Sequence, residues 1–571
     1  MNIPRSEHPK PQFRRDGWLN LNGEWGFEID NGCSGKARGR ASADSLAGTI
    51  TVPFCPQSRL SGVGHVDFIR GVWYRRTVTL TDAQCAGRVR LHFGAVDYAC
   101  EAFVNGRSVG THRGGYISFA FDITDAVQPG ENVITVYAED NERDPMIPRG
   151  KQSEQFYSHG CDYTRTTGIW QTVWLEFLPE IHIEKVKFYP DAETGTVRIA
   201  AELCGAAELT VSASYDGRPM GEAIRSCAGG RVELTLTLAE THLWEVGHGR
   251  LYDLTLTYGA DIVHSYVGLR SIRLDGMRFL LNGKSVFQRT VLDQGFYPDG
   301  IYTAPSDDEL RRDIERSMAC GFNGARLHEK IFEERFLYHC DRLGYLVWGE
   351  FPNWGLDHTR PEAIYAILPE WLEELDRDFN HPAIIGWCPF NETWDLNGHR
   401  QYDDLLRMVY RTTKAVDPTR PCIDTSGNFH VETDIFDVHN YGSDPETFRD
   451  YFAHLNTEHA LPVRPNNFID QRQQHDGKKP VFVSEYGGIG WTDDPNAWGY
   501  GNMPKTPAEF IERFRRLTDA LLDNPAIMGL CYTQLTNVEQ EQNGLYTYDR
   551  QPKFDPVIFH QILSRKAAIE D

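Results

Sequence analysis

No stretch of the sequence approaches eighteen uninterrupted apolar residues, which excludes an obvious membrane-crossing helix. The twelve cysteines, scattered from Cys33 to Cys531, form no CxxC pair and no Cys/His cluster at zinc-ligand spacing. Reduced structural thiols are expected, with no metal. Basic residues are short as well: 58 Lys and Arg stand against 81 Asp and Glu, a formal net charge of −23. A nucleic-acid-binding surface needs a basic stripe, so that class is excluded. The opening MNIPRSEHPKPQFRRDGWLNLNG lacks the apolar h-region of a signal peptide, and a cytoplasmic protein is expected. No nucleotide-binding loop is legible, so no cofactor is expected either.

What is present is a 571-residue chain with 40% hydrophobic and 24% charged residues. That is the composition of a soluble globular protein, too long for one core and long enough for two to four domains. Up to residue 180 the chain reads as short strands: WYRRTVTL, RVRLHFGAV, CEAFVNGRSVG, NVITVYAED, IWQTVWLEF. Their period-2 alternation, broken at Asn105-Gly106 and Pro129-Gly130, predicts an antiparallel β-sandwich over residues 1–180. A second all-β set of immunoglobulin-like size follows over 181–273, with TVRIAAEL, LTVSASYDG, RVELTLTL and YDLTLTY.

Near residue 274 the pattern changes. SDDELRRDIERSMACGFN places Ser306 and Glu309 at capping-box spacing and sets Leu310, Ile314 and Met318 on one helical face. Strands and helices then alternate. Counting SVFQRTVL, GARL, YLVWGE, AIIGWCPF, PCIDTS, FDVHNY, PVFVSEY and IMGLCYTQL gives eight strands, which predicts a (β/α)8 barrel over 274–571. In such a barrel the active site lies at the C-terminal strand ends.

Two acids stand out there. WCPFNETW puts Asn391 and Glu392 at the tip of the fourth predicted strand, and PVFVSEYGG puts Glu485 at the tip of the seventh. A glutamate at a strand end is ordinarily a hydrated loop residue. Two of them facing one barrel mouth are the minimum equipment of glycoside hydrolysis, which must protonate a poor leaving group and stabilise an oxocarbenium-like transition state. Trp387 next to Glu392 suggests an apolar wall that would keep that acid protonated.

WCPFNETW with Asn380-His381-Pro382 upstream, and FVSEYGG, resemble glycoside hydrolase family 2, which holds β-galactosidases, β-glucuronidases and β-mannosidases. GVWYRR (71–76), FVNGRSVG (103–110) and TGIWQTVW (167–174) are similar to that family's N-terminal sugar-binding jelly roll, which precedes an immunoglobulin-like sandwich and the barrel. The resemblance implies a retaining exo-β-glycosidase with Glu392 as acid/base and Glu485 as nucleophile. It implies that Asn391 bonds the sugar 2-hydroxyl and that Tyr441 holds the nucleophile. His328 and Asp293 match sugar-contacting positions, and Trp387, Trp354, Trp491, Glu350, Tyr532 and Gln534 are further rim residues. A transglycosylase would share every one of these residues, and a binding protein with an inactive barrel would need the acids lost.

Two departures bear on the substrate. The Asn and Lys that hold a uronate in the family's glucuronidases are replaced here by Glu541, Gln542 and Asn543 before Gly544. After the second strand, His328 is followed by Glu329 and Lys330, with Arg335 nearby. If Lys330 or Arg335 points inward, a β-galacturonide or other hexuronide is expected, and if both point outward, a neutral β-galactoside. A carbohydrate or glycoconjugate is the expected partner, with self-association left open.

Overall fold

The computed structural model describes residues 3–427, 429–462 and 475–570. The first strands build a sandwich of a six-stranded sheet (ordered by residue as 48–52, 23–29, 71–80, 130–139, 99–104, 107–113) on a four-stranded sheet (18–20, 173–178, 88–93, 119–122). Alternation makes the core: Val89, Leu91 and Phe93 point inward, while Arg88 and Arg90 between them do not. A second sandwich packs three strands (182–191, 196–204, 230–237) on four (218–227, 207–215, 252–258, 261–267) around Val197, Ile199, Leu209, Val211 and Leu256. No described helix is long and apolar enough to cross a membrane.

The remainder is a parallel sheet ringed by helices. Its strands are β1 (Gln288–Asp293), β2 (Gly324–Leu327), β3 (Leu346–Glu350), β4 (Ile384–Cys388), β5 (Phe436–Asn440), β6 (Val481–Gly487) and β7 (Ile527–Thr533). Their order, β4-β3-β2-β1-β7-β6-β5, curls the sheet so that β4 and β5 are its two edges. Helix α1 (Asp307–Ala319) starts where the capping pattern places it, with the Ser306 hydroxyl accepting from the Glu309 amide and Leu310 and Ile314 buried. Helices α2 (Glu334–Leu343) and α3 (Ile364–Arg377) follow on the same outer layer.

The eighth strand expected in PCIDTS is not a regular strand. Residues 421–426 touch the β4 side through isolated parallel bridges, Trp387 to Cys422 and Asn391 to Ser426. Pro421 has no N–H to donate, and Gly427 turns away at φ 80. Towards β5 the closure is made by side chains, with the Ser426 hydroxyl donating to Asp437. The barrel is therefore closed, but its seam lies next to Glu392.

The first sandwich is welded to the barrel mouth. Tyr116, Tyr163 and Trp170 belong to the same buried cluster as Phe296 and Tyr302 of the barrel, and the rings of Trp170 and Tyr302 are 5.2 Å apart.

Candidate active site

Strand β4 ends at Cys388, and the chain continues through Pro389 and Phe390 to Asn391 and Glu392. Ser426 fixes this extension twice: its N–H donates to Phe390 O at 2.8 Å, and its carbonyl accepts from Glu392 N at 2.8 Å. Glu392 sits at φ 47, in the left-handed region that non-glycine residues adopt only at a cost of roughly 1 kcal/mol or more. The bend turns its carboxylate towards His439 of β5, whose Nδ1 lies 2.8 Å from Glu392 Oε1 and 3.4 Å from Glu485 Oε2. That nitrogen and one oxygen of each acid all lie within 4.8 Å of one another. Glu485 lies inside β6, which runs on to Gly487, rather than at its tip.

The two acids differ in the donors they receive. Glu485 accepts from Arg326 Nη1 at 3.1 Å and from the Tyr441 hydroxyl. Burial pushes its pKa up, but His439, His328, Arg326 and Tyr441 outweigh burial and bring it down to about 2. Of this donor set Glu392 shares only His439, and its side chain is the more exposed of the two, 12% against 5%. The expectation that Glu392 would be the drier group, walled by Trp387, is corrected: Trp387 faces the helices, donating to Asp417 and crossing Trp371 at 5.9 Å. It is fully buried there and offers no face to a sugar.

Arg326 of β2 organises the floor. Its Nε and Nη2 donate to Glu350 Oε2 at 3.2 and 2.7 Å, and Nη2 reaches Asn391 Oδ1 at 3.0 Å. Glu350 Oε1 takes the Glu329 amide at 3.1 Å and faces His328 Nδ1 at 2.8 Å. With both oxygens occupied, Glu350 is an anchor for Arg326 and His328 instead of the hydroxyl acceptor expected. Burial lowers the His328 pKa, against the pull of the neighbouring Glu350. Asn391 has its carbonyl oxygen held by Arg326, while its buried Nδ2 has no partner among the described residues.

Several expected rim residues go elsewhere. Arg335 pairs with Asp307 at the start of α1, at 2.6 and 2.8 Å. Lys330 turns back to the carbonyls of Gly295 and Tyr302. Trp491 packs on Phe510 and Phe554, and Tyr532 lies between Tyr486 and Phe514. Asp293 accepts from Gly295 N, and its charged neighbours are Asp313, Arg550 and Lys330 rather than either acid. Burial pushes its pKa up to about 6. Each side chain found a nearer partner, which spacing along the chain does not reveal.

The sequence reading missed three contributors. His439 stands in the quoted FDVHNY, and a histidine two residues before the expected tyrosine on one strand was a usable signal. Tyr500 stacks on Tyr441 with centroids 3.5 Å apart. The loop 149–165 of the first sandwich adds Lys151 and Tyr163, and the Tyr163 hydroxyl donates to Glu541, whose other oxygen accepts from Asn543. Nothing in PRGKQSEQFYSHGCDYTR announces that it reaches a barrel some 130 residues further on.

Known proteins share the order of these domains. The model of the glycosyl hydrolases family 2 sugar binding domain matches residues 66–179, and that of the family's TIM barrel domain matches residues 272–564. A β-galactosidase of Thermoanaerobacter pseudethanolicus is 27% identical over 71% of this chain and 54% of its own length. A β-glucuronidase of Paenibacillus borealis is 24% identical over 95% and 96%. The chain thus spans about half the length of the first of these relatives and nearly all of the second. The crystal structure of Ruminococcus gnavus β-glucuronidase superposes with a TM-score of 0.80 at 18% identity, covering 99% of each chain. With the barrel model alone matching half of the sequence and the sugar-binding model ahead of it in the expected order, the chain belongs to glycoside hydrolase family 2.

Proposed function

We propose that the protein is a retaining exo-β-glycosidase, with Glu485 as nucleophile and Glu392 as acid/base. The observation that carries this is the spacing of the two carboxylates across His439, with oxygens within 4.8 Å. Oxygens that close suit the short carboxyl separation of retaining enzymes, about 5–5.5 Å, better than the about 6.5–9.5 Å at which inverting ones admit a water.

The donors around Glu485 keep it ionised, as a nucleophile must be. In the first step the Glu485 carboxylate forms an ester to C1 while the C1–O bond breaks, and Glu392 gives its proton to the departing oxygen. In the second, Glu392 takes a proton from water, the water oxygen bonds C1, and the ester breaks to restore Glu485. The unpartnered Asn391 amide donates to the 2-hydroxyl oxygen, a bond that strengthens as the ring flattens. Tyr441 and Arg326 hold Glu485 in line, and Arg326 also fixes the Asn391 carbonyl so that the amide NH₂ faces the sugar.

The preferred glycone is a neutral β-galactoside. Arg335 and Lys330, the two cations expected after the second strand to grip a uronate, are committed to Asp307 and to backbone carbonyls. Where the glucuronidases of the family carry their Asn and Lys clamp, this chain carries Glu541, Gln542 and Asn543. A 2-deoxy-2-fluoro-β-galactosyl fluoride should label Glu485, and peptide mapping after mass spectrometry locates the ester. Turnover with inversion at C1, or a label on another residue, would sink the assignment. Added acceptor sugars raising product yield above hydrolysis would instead support a transglycosylase on the same residues.

A further inference from the structure

The loop 149–165 carries a charge into the barrel mouth that the double displacement does not use. The N–H groups of Arg149 and Gly150 donate to Trp354 O at 2.8 and 3.2 Å, docking the loop on the segment after β3. Gly150 sits at φ +56, and a Cβ there would lie 2.4 Å from the Glu329 carbonyl oxygen, so only glycine permits the approach. Tyr163 N donates to Lys151 O and Ser153 N to Tyr163 O, which ties the two limbs of the loop together. Lys151 is 5% exposed as a result, and its ammonium lies 3.4 Å from the centroid of the Trp354 ring. Among the described residues its ammonium faces the Trp354 ring, with no hydrogen bond and no ion pair within 4.0 Å. Buried ammonium groups are ordinarily paired.

We propose that Lys151, together with Glu541, is a specificity-determining pair that holds a hydroxyl of a neutral glycone on the side of the ring away from the anomeric carbon. The proposal rests on the glycosidase reading above. An ammonium has three donors and no acceptor, so it takes the hydroxyl oxygen. The hydroxyl proton then needs an acceptor, and each Glu541 oxygen holds only one hydrogen bond and keeps a lone pair.

The donors and acceptors suit a hydroxyl better than a carboxylate. Burial lowers the Lys151 pKa, yet Cys161, Glu392, Glu329 and Glu541 more than offset it and leave it raised. Burial pushes the Cys161 thiol up to about 12, and it raises the Glu329 and Glu541 carboxyls as well. Lys330 is the contrast: buried against carbonyls, it is brought down to about 7. A hydroxyl can accept from Lys151 and donate to Glu541, whereas a uronate would set its own carboxylate against the Glu541 carboxyl.

The test measures kcat/KM on aryl β-galactoside, its 3-, 4- and 6-deoxy analogues and aryl β-galacturonide, for wild type, Lys151→Met and Lys151→Arg. One deoxy analogue should cost the wild type about 100-fold and Lys151→Met less than about 3-fold, because the variant has already lost that contact. Lys151→Arg should recover part of the discrimination. An unchanged deoxy penalty in Lys151→Met, or a loss confined to the galacturonide, overturns the proposal. Melting temperatures and fluoro-sugar labelling of Glu485 run alongside. Labelling intact in a folded variant with unchanged specificity refutes only the role of Lys151, whereas failure to label the wild type refutes the glycosidase reading itself.

Discussion

Glu392 and Glu485 are the same side chain in one pocket, and the donors aimed at them, rather than dryness, divide their roles. His439 is the largest influence lowering Glu485. Its own pKa is pushed down by burial and more than restored by Glu485 and Glu392, so it ends above the ordinary histidine value. Protonated, it donates from Nδ1 to Glu392 and from Nε2 to the Ser426 hydroxyl. His439→Gln should therefore let the Glu485 pKa rise and move the acid limb of kcat/KM to higher pH, which a pH–rate profile measures. Glu392→Gln should lose about 10²–10⁴-fold on glycosides with poor leaving groups and far less on activated aryl glycosides. Equal losses on both would contradict its role as acid. Glu485 also stabilises the fold: depressed from about 4.3 in the unfolded chain to about 2, it contributes above the higher value. That contribution fades as pH falls through the interval. Glu485→Gln should flatten the acid limb of melting temperature against pH.

At the level of elements, the barrel is legible because its strands are apolar runs and its helices amphipathic, each ended by its own local chemistry. Ser306→Ala should remove one cap bond from α1, cost about 1 kcal/mol and leave kcat unchanged, as calorimetry and kinetics would show. The two acids were legible because each follows an apolar strand run, and two of them at the C-terminal end of one barrel point to a mouth where either alone would read as a loop residue. The seam at 421–426 was not. PCIDTS has the composition of a strand, and its failure to form a regular ladder comes from Pro421 at one end and Gly427 at the other, with Asp437 taking the Ser426 hydroxyl. Arg326, Glu350 and His328 were visible as residues, but their mutual bonding was not, because it joins β2 to β3 and β6 across the floor. The docking of Arg149 and Gly150 on Trp354 is equally a matter of contact and not of pattern. Gly150→Ala should push the loop off the Glu329 carbonyl and lower kcat/KM about 10–100-fold while Glu485 still labels.

Over the whole molecule, the first sandwich meets the barrel through a seam of buried acids. Glu370 of α3 accepts the Tyr116 amide at 2.7 Å, and burial pushes its pKa up to about 8. Asp97, Asp140 and Glu142 in the sandwich are raised as well, burial again being the main cause. A carboxyl raised in the fold gives stability that is complete below its unfolded value near 4.3 and is lost as pH rises through the folded one. Glu370→Gln should therefore raise the melting temperature at pH 8 and do little at pH 5, a contrast of about a few kcal/mol readable by calorimetry. The same seam has a consequence for how such an enzyme can be remade. Glu392, Glu485 and the Arg326 floor all come from the barrel, while residues 149–165 are clipped onto its rim by main-chain bonds to Trp354 at one end and by Trp498, Gln540, Glu539 and Glu541 at the other. A grafted loop that keeps Gly150 and those bonds would meet the same bond-breaking apparatus with a different fingertip, and taste could be rewritten without retuning the engine.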